Sequence, residues 1–378
     1  MLLPRLNSLR HLSSLLLPKQ IAVCIPMGGY SGETFSSERL YWFSLVIEDL
    51  NSQIRQPDEV VVSINGNVNS NTLEAINNLL SHVKAPLSVS NCRYTLSAEE
   101  NFRRAVLGSQ STYFSWWSDH DRHSPDFLSS LLQIHETVPG TALVSSMLGH
   151  INDNDEVIMD FTNQCEPLAV TYLDPSERVL KLTNSKLIGA VYGLFDRAIY
   201  EQVARPYNCL GPDLMLTYAI AMYGNVFILP EAHWSERTRE RRILDASVRH
   251  AEFYDSCALV PGNKFSITHH LIYFTRVVSC SGLFNARQRT KLTINYMMAC
   301  NKKFISFAAF RELILTINFA ARSFLKADLW SVVSTFSIIT YQIIWIFCLL
   351  ITGALWLQIS AAITRARRKY LIIKQCQA

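Results

Sequence analysis

The sequence lacks acidic residues towards both ends, and it lacks paired cysteines. No aspartate or glutamate precedes Glu33, and none follows Asp328. The nine cysteines form no Cys-x-x-Cys pair, so they predict neither a zinc knuckle nor a disulfide framework. Reduced thiols in a cytosolic setting are the expectation. The net charge of +4 is too small to indicate a nucleic-acid-binding protein, and no nucleic-acid partner is expected.

Several catalytic signatures are also missing. The chain has no Gly-x-x-x-x-Gly-Lys-Ser/Thr, Gly-x-Ser-x-Gly or His-Glu-x-x-His motif. These absences argue against a P-loop nucleotidase, an α/β-hydrolase and a zinc protease of the usual kinds. The sequence also shows no internal repeat.

Charge is absent from a long stretch near the end of the chain. Residues 329–364 carry no charged side chain, and the run "TFSIITYQIIWIFCLLITGALWL" (335–357) is long enough to cross a bilayer. The basic run "RARRKY" (365–370) follows it directly, as is typical of a cytoplasmic flank. We therefore expect a membrane-inserted segment over 331–360. A single crossing, a helical hairpin and a shallow insertion are all compatible with this pattern.

The first 19 residues are basic and rich in leucine. Asn7, Arg10 and His11 interrupt the apolar run, which makes it a poor secretory signal. A short amphipathic surface helix over residues 1–19 is the expectation.

Apolar runs and helical patterns alternate through the first third of the chain. This alternation predicts parallel βαβ units in an open α/β sheet. The expected strands cover 20–29, 58–67, 86–92 and 112–117, and the expected helices cover 37–54, 71–83 and 97–109. Further strands and helices are expected up to residue 235, and mostly helical structure beyond it.

Two aspartates one residue apart, Asp119 and Asp121, follow the fourth predicted strand. In open α/β sheets, ligands bind beyond the carboxyl ends of the strands, which is where this pair falls. Two carboxylates at this spacing can share one hard divalent cation, and Mg²⁺ or Mn²⁺ readily bridges to phosphates. Taken alone, the pair could equally be a solvated turn or a helix cap.

Four stretches, in their order along residues 20–235, resemble a GT-A nucleotide-sugar glycosyltransferase of the inverting family-two type. They are "IAVCIPMGG", "PDEVVVSINGN", "SAEENFRRAVLGSQSTYFSWWSDHDRHSPDFLSSLL" and "GPDLMLTYAIAMYGNVFILPE". The resemblance implies a GT-A domain with a mainly parallel open sheet. It also implies a nucleotide-sugar donor and Mn²⁺ or Mg²⁺ as cofactor.

The resemblance assigns roles to residues at the nucleotide edge. Asp121 would bind the metal on the donor diphosphate, and Asp119 would lie nearer the ribose or the metal. Pro26 would border the nucleotide. Asn65 stands where such enzymes usually have an acid near the base and ribose, so the base preference is in doubt.

Asp213 matches the aspartate of the family's Glu-Asp catalytic pair, with Pro212 in the glutamate position. An inverting transferase needs a base for the acceptor hydroxyl, and Asp213 is the candidate. An ordinary helix cap is the alternative role for this side chain. His233 could join the metal or the leaving phosphate, or it could be structural.

The run "SERTRERR" (235–242) supplies Arg237 and Arg239 as candidate contacts for the donor diphosphate. An equally good interpretation of this basic run is a surface that faces anionic lipid. Processive synthases of this class carry a Gln-x-x-Arg-Trp motif and several membrane helices, and this sequence shows neither. The resemblance therefore favours transfer of one sugar, with a role in polysaccharide biosynthesis.

Together these features predict a metal-dependent, non-processive glycosyltransferase acting on a lipid-linked or glycan acceptor. Its catalytic domain (20–235) would face the cytoplasm from the membrane, followed by a basic, mostly helical membrane-proximal region (236–330) and a basic tail (361–378). Two alternatives stay open. One is an inactive GT-A-like binding or scaffold protein, favoured by Pro212 and Asn65, and the other is a sugar-phosphate nucleotidyltransferase.

Overall fold

The computed structural model describes most of the first 237 residues and one later helical stretch. The described residues are 20–28, 35–66, 68–158, 167–172, 174–185, 189–204, 212–237 and 266–303. The predicted amphipathic segment 1–19, the membrane segment 331–360 and the basic tail 361–378 lie outside these residues.

Strands and helices alternate from the start of the described chain, as the apolar patterning predicts. The strands are β1 Ile21–Met27, β2 Glu59–Asn65, β3 Leu87–Cys92, β4 Tyr113–Trp116, β5 Arg122–His123, β6 Thr141–Ile151, β7 Leu168–Val170, β8 Leu194–Asp196 and β9 Asn225–Arg237. The helices are α1 Ser37–Ser52, α2 Ser70–Leu80, α3 Ala98–Leu107, α4 Phe127–Thr137, α5 Pro175–Thr183, α6 Arg197–Val203, α7 Pro212–Tyr223, α8 Ser266–Cys280 and α9 Ala286–Lys303.

These strands form one open mixed sheet in the order β3-β2-β1-β4-β8-β6-β9-β5, with β7 also paired to β9. Strands β3, β2, β1 and β4 are mutually parallel, and β6 is parallel to β9. The other four pairings are antiparallel. The mixed α/β architecture with a parallel quartet fits the predicted GT-A fold, although only half of the strand pairings are parallel.

Local sequence explains where the first helices begin. Ser36, Asn69 and Ser97 cap α1, α2 and α3, each accepting a hydrogen bond from the backbone N–H three residues later. Strand β1 is buried along its whole length, because helices cover both faces of a parallel sheet. This packing fixes the quartet whose carboxyl ends form the candidate site.

Strand β8 inserts between β4 and β6, antiparallel to both. Gly193 immediately precedes it, and a Cβ there would lie 2.2 Å from the carbonyl oxygen of Val144. The close approach of the two backbones therefore requires glycine. Gly193 therefore has a packing role at the start of β8.

The chain divides into two compact units. The larger comprises Met1–Asn263 and Tyr273–Leu292 and carries the whole sheet. The smaller comprises Lys264–Ile272 and Thr293–Ala378, and its described residues belong to helices α8 and α9. The predicted boundary between residues 235 and 236 stays a prediction.

The predicted fold class needs one correction. In the part of the chain that the structure describes, no helix combines the length and the apolar character that a membrane crossing requires. The membrane segment is therefore removed from the fold class. The predicted localisation, on a membrane with the catalytic domain facing the cytoplasm, is withdrawn on the same finding.

Candidate functional site

Three parallel strands bring the predicted nucleotide-binding residues to one edge of the sheet. Strand β1 lies between β2 and β4, with Pro26 opposite Ser63 and Cys24 opposite Trp116. The chain therefore leaves β1 at Gly28, β2 at Asn65 and β4 just before Asp119, all on the same side. Gly28 has φ +135°, and a Cβ there would meet Asn65 at 2.7 Å, so the ends of β1 and β2 are in direct contact.

Asp119 is a buried carboxylate held by two side chains. Arg39 donates to its Oδ2 from Nη2 at 2.7 Å and from Nε at 3.0 Å. The Nδ1 atom of His120 lies 2.7 Å from Oδ1. Burial raises the pKa of Asp119, but Arg39 and His120 outweigh burial and hold this pKa at about 2. The Asp119 side chain is therefore an anion at neutral pH.

Asp121 is equally buried and is held by strand β9. The backbone N–H of Arg237 donates to its Oδ1 at 2.9 Å, and Nε1–H of Trp234 donates to Oδ2 at 3.2 Å. Nε2 of His120 lies 3.8 Å from Oδ1. The end of β9 therefore fixes the second acid of the pair.

Arg237, predicted to contact the donor diphosphate, has a fully buried side chain. Its Nε donates to the carbonyl of His120 at 2.9 Å, its Nη1 donates to the carbonyl of Asn152 at 2.7 Å, and its Nη2 donates to Asp155. The guanidinium also lies over the Trp42 ring, 5.0 Å from its centroid. All three nitrogens thus donate within the protein, and Arg237 positions the loop that carries the two acids. Arg239 lies outside the described residues.

A second arginine extends this arrangement to helix α1. Arg122 donates to both carboxylate oxygens of Asp49, at 2.9 and 2.8 Å, and to Asp155 at 2.6 Å. The hydrogen bonds that Arg122 donates to Asp49 raise the pKa of Arg122 despite its partial burial. The backbone N–H of His123 also donates to Asp49 at 2.8 Å. The strand immediately after the acid pair is thereby tied to α1.

These ion pairs, joined through His120 and through the backbone N–H of Arg237, form a set that we call the acid–arginine network. Its members are Asp49, Asp119, Asp121, Asp155, Arg39, Arg122 and Arg237. Four aspartates against three arginines leave one net negative charge when His120 is neutral. Buried charges are tolerated only when they are paired and hydrogen-bonded, and the network meets that condition.

The network does not fit the predicted Mn²⁺ or Mg²⁺ site. All four carboxylate oxygens of Asp119 and Asp121 have a donor or a ring nitrogen of the protein within 3.2 Å. No group of three or more His, Cys, Asp or Glu side chains suited to a metal occurs among the described residues. Waters and substrate phosphates can supply most of the oxygen ligands of a hard cation, so the main obstacle to one here is charge repulsion by the Arg39 guanidinium beside Asp119. No chemical step is therefore assigned to a metal here.

His233, the third predicted metal ligand, lies apart from the acid pair. Its Nδ1 is 3.2 Å from both Oγ of Ser124 and Oδ1 of Asp126. Its neighbour Trp234 contacts Asp121 instead, because successive side chains of a strand point to opposite faces. The structure thus brings together two of the three predicted metal ligands.

The neighbouring strand ends carry neutral groups, which we call the amide cluster: Met27, Ser63, Asn65, Leu96 and Asn101. Asn65 donates to the carbonyl of Leu96 at 2.9 Å and accepts from its N–H at 2.7 Å. Asn101 accepts from Ser63 at 2.7 Å and donates to the carbonyl of Met27 at 3.1 Å. The amide of Asn65, predicted to face the nucleotide, thus fixes the loop that leads into helix α3.

Asp213, the predicted base, lies in the first turn of α7 directly after Pro212. Its residue is half-buried, and burial raises the pKa of its carboxyl group, opposed in part by a hydrogen bond from the N–H of Leu214. A raised pKa makes a carboxylate a better proton acceptor. The residues just before Pro212 lie outside the described chain.

The sequence reasoning missed Arg39, Asp49 and Asp155 as parts of this site. Only Arg39 had a local signal, because Ser36 as N-cap places it in the first turn of α1, beside the carboxyl edge. Its partner Asp119 is 80 residues away in the sequence. Asp155 has φ +63°, which no local motif indicated.

No family model and no curated protein match the sequence. The chain is similar to the crystal structure of S. aureus TarS 1-349, with a TM-score of 0.43 and 11% identity over 84% of this chain and 90% of that chain. For the crystal structure of the same fragment in complex with UDP, the TM-score is 0.44 and the identity 10%, over 85% of this chain and 90% of that chain. For the crystal structure of S. aureus TarS, the TM-score is 0.43 and the identity 13%, over 73% of this chain and 52% of that chain. At these TM-scores the likeness carries no argument.

Proposed function

We propose that the protein is a nucleotide-sugar glycosyltransferase whose donor binds at the carboxyl edge of β1, β2 and β4. The observation that carries the proposal is the buried pair Asp119 and Asp121, kept at the ligand-binding edge of a parallel sheet by dedicated partners. Fixed carboxylates at this edge are suited to accept hydrogen bonds from ribose hydroxyls, and the adjacent guanidinium of Arg39 is suited to a phosphate.

The proposed reaction is transfer of one sugar with inversion. The acceptor hydroxyl oxygen forms a bond to the anomeric carbon while the bond from that carbon to the diphosphate oxygen breaks. The electron pair leaves with the diphosphate, and Asp213 takes the hydroxyl proton. The raised pKa of Asp213 supports this role. A lipid-linked or glycan acceptor is part of the proposal and follows from the sequence resemblance.

A panel of nucleotide sugars tests this proposal. The protein is incubated with each donor, and both free nucleotide and transferred sugar are measured, with Mn²⁺ in one arm and EDTA in another. UDP-sugars are included because UDP is the nucleotide in one of the similar solved structures. Release of nucleotide from one donor class is the expected result. Absence of both binding and release across the panel would contradict the proposal.

Asp213→Asn separates catalysis from binding. The variant should keep donor affinity and lose about 10²-fold or more in transfer, since general base catalysis contributes on that scale. Asp174→Asn is the matched control, because Asp174 also lies at the start of a helix, α5, but in a different part of the chain. Wild-type transfer by Asp213→Asn would refute its assignment as the base.

A nucleotide-binding protein without transferase activity is the second candidate. Two observations favour it: Pro212 occupies the position of the family's glutamate, and Asn65 is fully engaged with Leu96. Tight nucleotide binding with no turnover of any donor would support this candidate over the enzyme.

A further inference from the structure

Arg39 occupies an unusual position for a cation. It lies in the first turn of α1, where the N–H groups of the helix already carry partial positive charge, and its own N–H donates to the Ser36 side chain at 3.1 Å. A cation there is unfavourable unless an anion compensates it. Asp119, across the carboxyl edge of the sheet, is that anion.

The ion pair is geometrically well defined. Both Nε and Nη2 of Arg39 contact Oδ2 of Asp119, and Nη2 also donates to the carbonyl of Gly28 at 3.3 Å. The guanidinium lies 4.9 Å from the centroid of the Phe35 ring. Its side chain is 13% exposed, against 2% for Asp119, so the arginine forms the solvent-facing half of the pair.

The Nη1 nitrogen of Arg39 takes no part in these contacts. Among the residues that the structure describes, none accepts a hydrogen bond from Nη1 of Arg39. A guanidinium anchored on one side by a carboxylate and open on the other is preorganised to donate to a phosphate oxygen. Arg39 is the arginine of the network whose side chain pairs with the acid pair itself, through Asp119.

We propose that the Arg39 guanidinium, held in place by Asp119, is the positive charge that contacts the diphosphate of a bound nucleotide at this edge, in place of a divalent cation. The inference rests on the proposed nucleotide site and adds how that site compensates phosphate charge. Nucleoside diphosphate binding is then independent of metal and dependent on Arg39. Asp119 acts as a positioning residue that holds the guanidinium in place.

Calorimetric titration with UDP and GDP, each in EDTA and in Mn²⁺, is the test. Whichever of UDP and GDP binds, the wild-type affinity for it should agree within about twofold between the EDTA buffer and the Mn²⁺ buffer. Arg39→Gln should weaken diphosphate binding by about tenfold or more, the loss expected for one charge-assisted hydrogen bond, and leave binding of the nucleoside unchanged. Arg39→Lys should recover part of the affinity, because it restores the charge without the planar fork.

Arg55→Gln is the matched control. Arg55 also pairs with an aspartate, Asp58, at 2.6 Å, on the surface away from the acid pair. This variant should bind nucleotide as the wild type does. Circular dichroism of every variant confirms folding before the titrations are compared.

A titration with Mn²⁺ alone gives a readout that does not depend on the nucleotide. The wild type should show no saturable binding, because Arg39 occupies the cation position beside Asp119. Saturable Mn²⁺ binding by the wild type, nucleotide binding lost in EDTA, or unchanged diphosphate affinity in Arg39→Gln would each overturn the inference while leaving the proposed function standing. No binding of any nucleotide in either buffer would overturn both.

Discussion

Two clusters of polar residues lie at the carboxyl edge of the sheet, and each connects strand ends to a helix in a different way. The amide cluster joins the ends of β1 and β2 to helix α3 through neutral hydrogen bonds, as Asn101 shows by bridging Ser63 and Met27. The acid–arginine network joins β4, β5 and β9 to helix α1 through ion pairs, with Asp119 and Asp121 at its centre.

The two clusters differ in the free energy that it costs to bury them. Neutral amides fix the backbone at small cost, because Asn65 and Asn101 each donate one hydrogen bond and accept another within the protein. Buried ion pairs are costly to assemble and give little net stability compared with apolar side chains. The presence of such ion pairs around Asp119 and Asp121 is the reason why we propose the nucleotide site at that part of the edge.

The largest expected effect comes from removing the buried arginine of the network. Arg237→Met should lower the free energy of unfolding by about 3–5 kcal/mol, because it removes a hydrogen-bond donor from each of the His120 and Asn152 carbonyls and leaves Asp155 with only one arginine. Denaturant titration measures the change. Lys291→Met is the control, because the Lys291–Glu177 pair is exposed and should contribute less than about 1 kcal/mol. Equal losses of unfolding free energy in the two variants would show that the acid–arginine network contributes no more to stability than an exposed ion pair.

A smaller loss is expected in the amide cluster. Asn101→Leu removes the partners of Ser63 and of the Met27 carbonyl, so it should cost about 1–3 kcal/mol. Asn78→Leu, on the exposed face of α2, is the control and should change stability by less than about 0.5 kcal/mol. The loss in Asn101→Leu should not vary with salt. A cost larger than that of Arg237→Met would reverse the ranking of the two regions.

The smallest effect is a pH dependence beside the network. The His123 ring stacks on Trp117 at 3.7 Å, and neither ring nitrogen has a hydrogen-bond partner among the described residues. Burial, and then Arg122, hold the pKa of His123 well below its ordinary value of 6.5. Below that pH the unfolded chain binds a proton that the folded chain does not, so stability falls as pH falls, by at most about 1.4 kcal/mol per pH unit.

His123→Phe removes this contribution and should flatten the stability profile between about pH 6.5 and pH 5. At pH 8 the imidazole is neutral in both folded and unfolded chains, so any difference there reports packing alone. An unchanged slope below pH 6.5 in the variant would show that other groups determine the acid sensitivity.

Much of the fold follows from local sequence. Apolar runs predicted the four strands of the parallel quartet, and Ser97, the first residue of the expected helix 97–109, is the N-cap of α3. Strand β5 has only two residues and β7 three, too short for alternation to be detected. The insertion of β8 between β4 and β6 depends on pairing far along the chain, which no local pattern encodes.

The site was predictable in its position but not in its contacts. The end of a buried strand placed Asp119 and Asp121 at the ligand edge, yet their partners other than His120 come from 80 to 116 residues away. Arg237 was predicted as a surface phosphate contact because it opens a basic run, and the structure buries it. The composition of a basic run does not show which of its arginine side chains is buried.

Amide hydrogen exchange with and without the nucleoside diphosphate that binds tests the central claim most directly. The account predicts slower exchange at Ser118–His123 and in the first turn of α1, with helix α2 (Ser70–Leu80) unchanged. Protection confined to other parts of the chain, with no change at Ser118–His123, would contradict the assignment of the acid–arginine network as the nucleotide site.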